Sequence, residues 1–318
     1  MNNIALRTKK IAFSLAAFVV MLSAVLSTAP AHADGEYYST WVSGTGSNAN
    51  SSSGCQASAP CADFSTALAQ TTTGGEVNCA GPVDYHNFNT VTITYSVTID
   101  CHDMLGSIFT TIGSNGITIN APGSDVILRN LNLDGWAQHS SIFSGDQAAN
   151  GILIQAALRV EIFNCKIMNF GQDGISDTRT TGGTELFIKS TIVRGNTGPG
   201  IVAAAAATNS VALENVQSVA NAYGIAVGTG NHVTISRSVM FGNATAGVEA
   251  DPGGQVYVDN TEIANNGIGV QAYGNVALGN SGIVSNTTGI SGTTSSYGNN
   301  RIFANFSAGT APTSIPQQ

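Results

Sequence analysis

The 318-residue sequence predicts an all-β chain wound as a right-handed, single-stranded parallel β-helix, a β-solenoid of about nine to ten coils with a short N-terminal capping helix. Three observations predict this. First, one strand-like segment recurs: "VTIDCHDMLGS" from Val97, "VILRNLNLDGW" from Val126, "VEIFNCKIMNF" from Val160, "LFIKSTIVRGN" from Leu186, "VALENVQSVAN" from Val211, "VTISRSVMFGN" from Val233, "VYVDNTEIANN" from Val256 and "VALGNSGIVSN" from Val276. Second, a Gly followed by an aliphatic residue punctuates the copies at Gly116, Gly151, Gly174, Gly200, Gly224, Gly247, Gly269 and Gly289, spaced 35, 23, 26, 24, 23, 22 and 20 residues apart. Third, apolar residues inside each unit alternate with period two between Asn, Gly and Ser, where a helical repeat would show a period of about 3.6. Each unit therefore reads as three short strands and three turns. Strands this short cannot bury an inward face alone. They are stable when each pairs in parallel with its equivalent one coil away, about 4.8 Å along the axis.

Residues 1–33 read as an export signal: Arg7, Lys9 and Lys10 precede an apolar run from Ile11 to Leu26, which leads to the small-x-small site Ala31-His32-Ala33. No later apolar run is long enough to span a membrane. Without the leader the chain has eight basic and nineteen acidic residues, a net charge of −11, which argues against a nucleic-acid partner. Residues 34–58, rich in Ser, Gly and Asn around Tyr37, Tyr38 and Trp41, read as an edge strand and a loop. All five Cys follow the leader, and an oxidising compartment makes disulfides plausible. Cys55 and Cys61 are close enough to shut a small loop. Cys79 and Cys101 end two runs that become neighbours if coils stack. Cys165 is left as a small buried hydrophobe.

The β-helix spans residues 59–306. Two Asn columns run along it, one with Asn130, Asn164, Asn215, Asn260 and Asn280, the other with Asn196, Asn221, Asn243, Asn266 and Asn286. Asn tolerates a left-handed corner and its amide can bond the equivalent residue one coil away, so both columns are structural. Residues 307–318, "SAGTAPTSIPQQ" after Phe306, lose the period and read as a loose tail or partial cap.

These repeats resemble the right-handed parallel β-helix proteins of the pectin-lyase-like superfamily, specifically the secreted bacterial right-handed β-helix repeat group. The resemblance implies that "PCADFSTALAQTTTGGEVNC" forms an N-terminal cap, with Phe64, Ala67 and Leu68 shielding the core. It also implies that a site, if present, sits on an outward face beside long turns, with polysaccharide as the ligand.

The longest spacing, Gly116 to Gly151, holds an excursion with Trp136, His139, Phe143 and Asp146, and the following coil begins with Gln155 nearby. Trp136, His139 and Gln155 are the substrate-binding candidates. The next coil carries "GQDGISDTRTTGG", with Asp173, Asp177 and Arg179 as catalytic candidates. Asp177 is the one charge in a column of Ile119, Ile154, Ala203, Val227, Ala250, Ala272 and Gly292. A carboxylate there needs either a bulge that swings it outward or a polar pocket shared with Arg179. The 26-residue coil favours the bulge. "QDGISD" resembles the NTD-type motif of polygalacturonases, but the partner acids, Gly-His-Gly and Arg-x-Lys elements are missing. A pectate-lyase site would need clustered acids for Ca²⁺ and a basic proton abstractor, for which only Arg179 or Lys189 is near. Lys189 and Glu214 occupy one outward column as a solvated pair. Glu249 and Asp251 lie three coils from Asp177, about 14 Å away, too far for a retaining pair of carboxylates. His232 stands alone at a turn.

Two functions follow. The poverty of outward acids favours a non-catalytic secreted β-helix that contacts polysaccharide, with no cofactor and no metal site. The alternative is a polysaccharide lyase or glycoside hydrolase acting on uronate-containing glycans at Asp173, Asp177 and Arg179, with Ca²⁺ only in that case. The sequence leaves oligomeric state and the choice between periplasm and exterior open.

Overall fold

The computed structural model describes residues 35–82, 90–102, 104, 106–110, 113–135, 149–204 and 208–316. The leader, Trp136, His139, Phe143 and Asp146 lie outside the described residues.

The recurring segments form a parallel β-solenoid of about nine turns. One coil runs Tyr223–Val227, His232–Ser236 and Val239–Phe241, one strand on each of three faces. The first two faces belong to a 20-stranded sheet and the third to a nine-stranded sheet. Pairing between coils is parallel on all three, which is the arrangement that right-handed crossovers produce. The period-two alternation survives intact. On the second face Val97, Val126, Val160, Leu186, Val211, Val233, Val256 and Val276 form one continuous buried column. Each such side chain contributes about 1.5–3 kcal/mol by leaving water, and it does so only because a neighbouring coil covers it.

The column of Gly residues has a steric cause. A Cβ on Gly224 would lie 2.3 Å from the Gly247 carbonyl oxygen, and one on Gly151 would lie 2.4 Å from that of Gly174. The backbone of successive coils passes too close there for any side chain. In the last coils the first turn is absorbed: Ile268–Gly279 and Thr288–Ser296 each run through two faces as one strand.

The two Asn columns separate in role. Asn130, Asn164, Asn215, Asn260 and Asn280 adopt left-handed backbone with φ between 46° and 59°, as do Ser190 and Arg237 at the same corner. In the other column the left-handed residue is the one before the Asn: Gly195, Ala220, Gly242, Asn265 and Ser285. The Asn itself makes an inner ladder. Asn196 Nδ2 donates to Asn221 Oδ1 at 2.9 Å, Asn243 to Asn266 at 2.9 Å, and Asn266 to Asn286 at 3.0 Å. In the first column corner and ladder coincide where left-handed Asn164 donates to left-handed Asn130 at 2.7 Å, whereas in the buried column the left-handed corner passes to the preceding residue.

At the N-terminal end helix α1 (Phe64–Leu68) starts at Asp63, whose carboxylate accepts the Thr66 N–H at 2.7 Å. Phe64, Ala67 and Leu68 are buried against the first coil, as a cap requires. Strand β1 (Tyr37–Val42) pairs in parallel with β2 (Thr71–Cys79), forming the edge. Disulfides join Cys55 to Cys61 and Cys79 to Cys101. Cys165 is free and buried. Desolvation pushes its thiol up to about 12, which leaves it protonated and inert. At the other end the tail is not loose: Ser307–Gly309 and Thr313–Ser314 pair with Thr288–Ser296 and extend the stack.

Candidate functional site

Asp177 ends the strand Ile175–Asp177, which pairs regularly with Ile154 on one side and Ala203 on the other. The expected outward bulge is absent from this strand. It lies one coil earlier, where Ile119 pairs with Ile154 but Asn120 pairs with Ala156, leaving Gln155 as the extra, exposed residue. Asp177 therefore stays inward and fully buried, and Arg179, at 1% exposure, is buried with it. The guanidinium grips the carboxylate with two bonds, Nε to Oδ1 at 2.8 Å and Nη2 to Oδ2 at 2.6 Å. Nη1 donates to the carbonyls of Ala157 at 3.3 Å and Glu185 at 3.1 Å. This is the polar pocket, and it corrects the expectation of a swung-out acid: pairing satisfies the charge more cheaply than breaking two strand ladders. A glycan on the outer surface touches neither group.

Asp173 is separate from them. It sits half-buried in the turn before that strand, its carboxylate accepting the Ser176 hydroxyl at 2.8 Å. Burial raises its pKa, opposed by the Ser176 bond. The three catalytic candidates thus divide into one surface acid and one core ion pair. Ser176 lies in the outward column that continues through Val202 and Ala226 to Glu249, three coils and about 14 Å away. Among the described residues of this column no second carboxylate comes within the roughly 5–9.5 Å that glycoside hydrolysis requires.

Among the described residues, Glu76, Asp100 and His102 are the group that could approach one metal ion. Asp100 Oδ1 already accepts the His102 N–H at 2.8 Å and the Asn130 amide at 2.6 Å, and Arg129 stands 4.0 Å from Oδ2. Positive charge and donors are supplied there by the protein. Lys189 and Glu214 pair at 3.0 Å as expected, joined by Arg237 at 2.7 Å.

A different surface has the shape of a binding site. On the second face an outward column runs Phe187, Ala212, Thr234, Tyr257, Ala277 and Ser295. Small neighbours on both sides leave the Tyr257 ring standing as a ridge. On one flank is a groove of ≈ 630 Å³ lined by His232, Thr234, Gln255, Tyr257, Tyr273 and Asn275, among others. On the other is a groove of ≈ 720 Å³ lined by Tyr257, Asn280, Tyr297, Asn299, Ile315 and Pro316, with Gly279 at its floor. The Tyr257 and Tyr297 rings meet edge to face at 6.2 Å. Tyr273 is 60% exposed and its hydroxyl accepts from Gln271 at 2.5 Å. His232, expected alone at a turn, opens the strand His232–Ser236 and faces this groove beside Gln255 and Asn275.

The sequence hid this surface because Tyr257, Tyr273 and His232 fall in three different places of the repeat. The readable signal was a large ring flanked in its column by Ala212, Thr234, Ala277 and Ser295.

The chain is therefore a parallel β-helix protein whose outer face carries two tyrosine-walled grooves. No family model matches it, and no curated protein matches it either. Among solved structures it is similar to the A-module of the mannuronan C-5 epimerase AlgE6 of Azotobacter vinelandii, at 15% identity and TM-score 0.39, over 77% of this chain and 92% of that one.

Proposed function

We propose that this protein is a secreted, non-catalytic β-helix that contacts polysaccharide along its second face, with Tyr257 as the central platform. The observation that carries the reading is the Tyr257 ridge between two long grooves, both bordered by a further tyrosine and by amide side chains. Aromatic rings offer the apolar face of a sugar a surface to stack on, while Asn, Gln and Thr reach its hydroxyls. Two disulfides fit an oxidising compartment, and no helix among the described residues is long and apolar enough to cross a membrane.

The test is incubation with pectate, alginate and neutral glycans, with and without Ca²⁺, following unsaturated products and reducing ends. The reading expects retention of glycan with no product. Turnover that disappears in Asp173→Asn while the fold persists contradicts it and establishes an enzyme.

A further inference from the structure

We infer that the grooves flanking Tyr257 select neutral rather than acidic polysaccharide, an inference that rests on the proposed function and narrows its ligand. Uronate recognition needs cations or a bridging metal near the carboxylates. The groove beside His232 is lined by hydroxyls, amides and tyrosine rings, and among the described residues no Lys, Arg, Asp or Glu lines either groove.

The charges just outside the grooves are the wrong sign for an acid. Asp259 is two residues from Tyr257 on the same outward side of one strand, its Oδ1 held by the Asn280 amide at 2.9 Å. Asp251 lies in the turn that precedes this strand, exposed, with Glu249 before it. The titration of the surface agrees: the Tyr257 hydroxyl is raised by burial and then by Asp259, and Glu249 by burial and then by Asp251. Of the cations in the adjoining coils, Arg237 is engaged by Glu214 at 2.7 Å, and Arg301, two residues beyond Asn299, faces Glu262 at 3.9 Å. A polyuronate laid over Tyr257 would meet the carboxylates of Asp259 and Asp251 before any cation other than His232, whereas a neutral chain meets no such repulsion.

Affinity electrophoresis of the folded protein tests this, in gels containing a neutral β-glucan, a neutral mannan, pectate or alginate, the last two with and without Ca²⁺. Retardation by a neutral glycan that is insensitive to salt, weakened about tenfold in Tyr257→Ala with an unchanged melting temperature, is the expected result. Gln255→Lys, which places a cation in the groove, is expected to gain retardation by pectate. Retardation by pectate or alginate that equals or exceeds that by the neutral glycans, with or without Ca²⁺, overturns the selectivity while leaving a glycan-binding face in place. Absence of retardation by every glycan overturns the proposed function and this inference with it.

Discussion

Arg179 is held on one side by both oxygens of Asp177 and on the other by backbone carbonyls of Ala157 and Glu185, all inside the core. Removing one partner leaves a buried charge with no counter-ion, which costs about 3–5 kcal/mol. Arg179→Met is therefore expected to lower the melting temperature sharply, while the double change Arg179→Met with Asp177→Leu recovers much of the loss. Thermal denaturation of the three chains checks this. Asp173 makes the opposite kind of prediction. Its pKa is raised by burial, so folding favours its neutral form. The stability it contributes is full below the ordinary aspartate range and is lost as pH rises through its higher folded value. Asp173→Asn keeps an acceptor for Ser176 without the charge, so it should match the natural chain in acid and exceed it at neutral pH, as chemical denaturation across pH would show.

The elements were legible to unequal degrees. The alternation from Val97 to Leu278 and the corner Asn residues follow from local rules, the cap at Phe64–Leu68 from the resemblance, and the structure keeps all three. Asp177 shows where that legibility stops. Its column was readable, but its direction depends on Arg179 reaching back to it two residues later, a pairing that periodicity does not express. The bulge was foreseen in kind and misplaced by one coil, since Gln155 looks like any other exposed strand residue. The inner ladder was foreseen as a column, though its left-handed partner was not. Asn243 illustrates the ladder's weight: its Oδ1 accepts the Asn221 N–H at 3.0 Å, and its amide donates to Ser218 O at 3.2 Å and Asn266 Oδ1 at 2.9 Å, all buried. Asn243→Leu strands those groups without partners and is expected to cost about 2–3 kcal/mol, measured by urea unfolding, with the loss of amide protection centred on the coils of Asn221 and Asn266.

At the scale of the whole molecule, a stack of coils converts one repeated column into a surface several coils long, which is how a chain of few charges builds grooves at all. The same stacking puts the buried Asp177–Arg179 pair out of reach of that surface. Core and face are thus separable by substitution. The most direct measurement is glycan retardation and melting temperature taken together on two variants, Tyr257→Ala and the paired Asp177→Leu with Arg179→Met. Loss of retardation at full stability in the first, with retention in the second, is the result expected. Retention in the first and loss in a folded second variant would contradict it, placing the working chemistry inside the coil rather than on its outer wall.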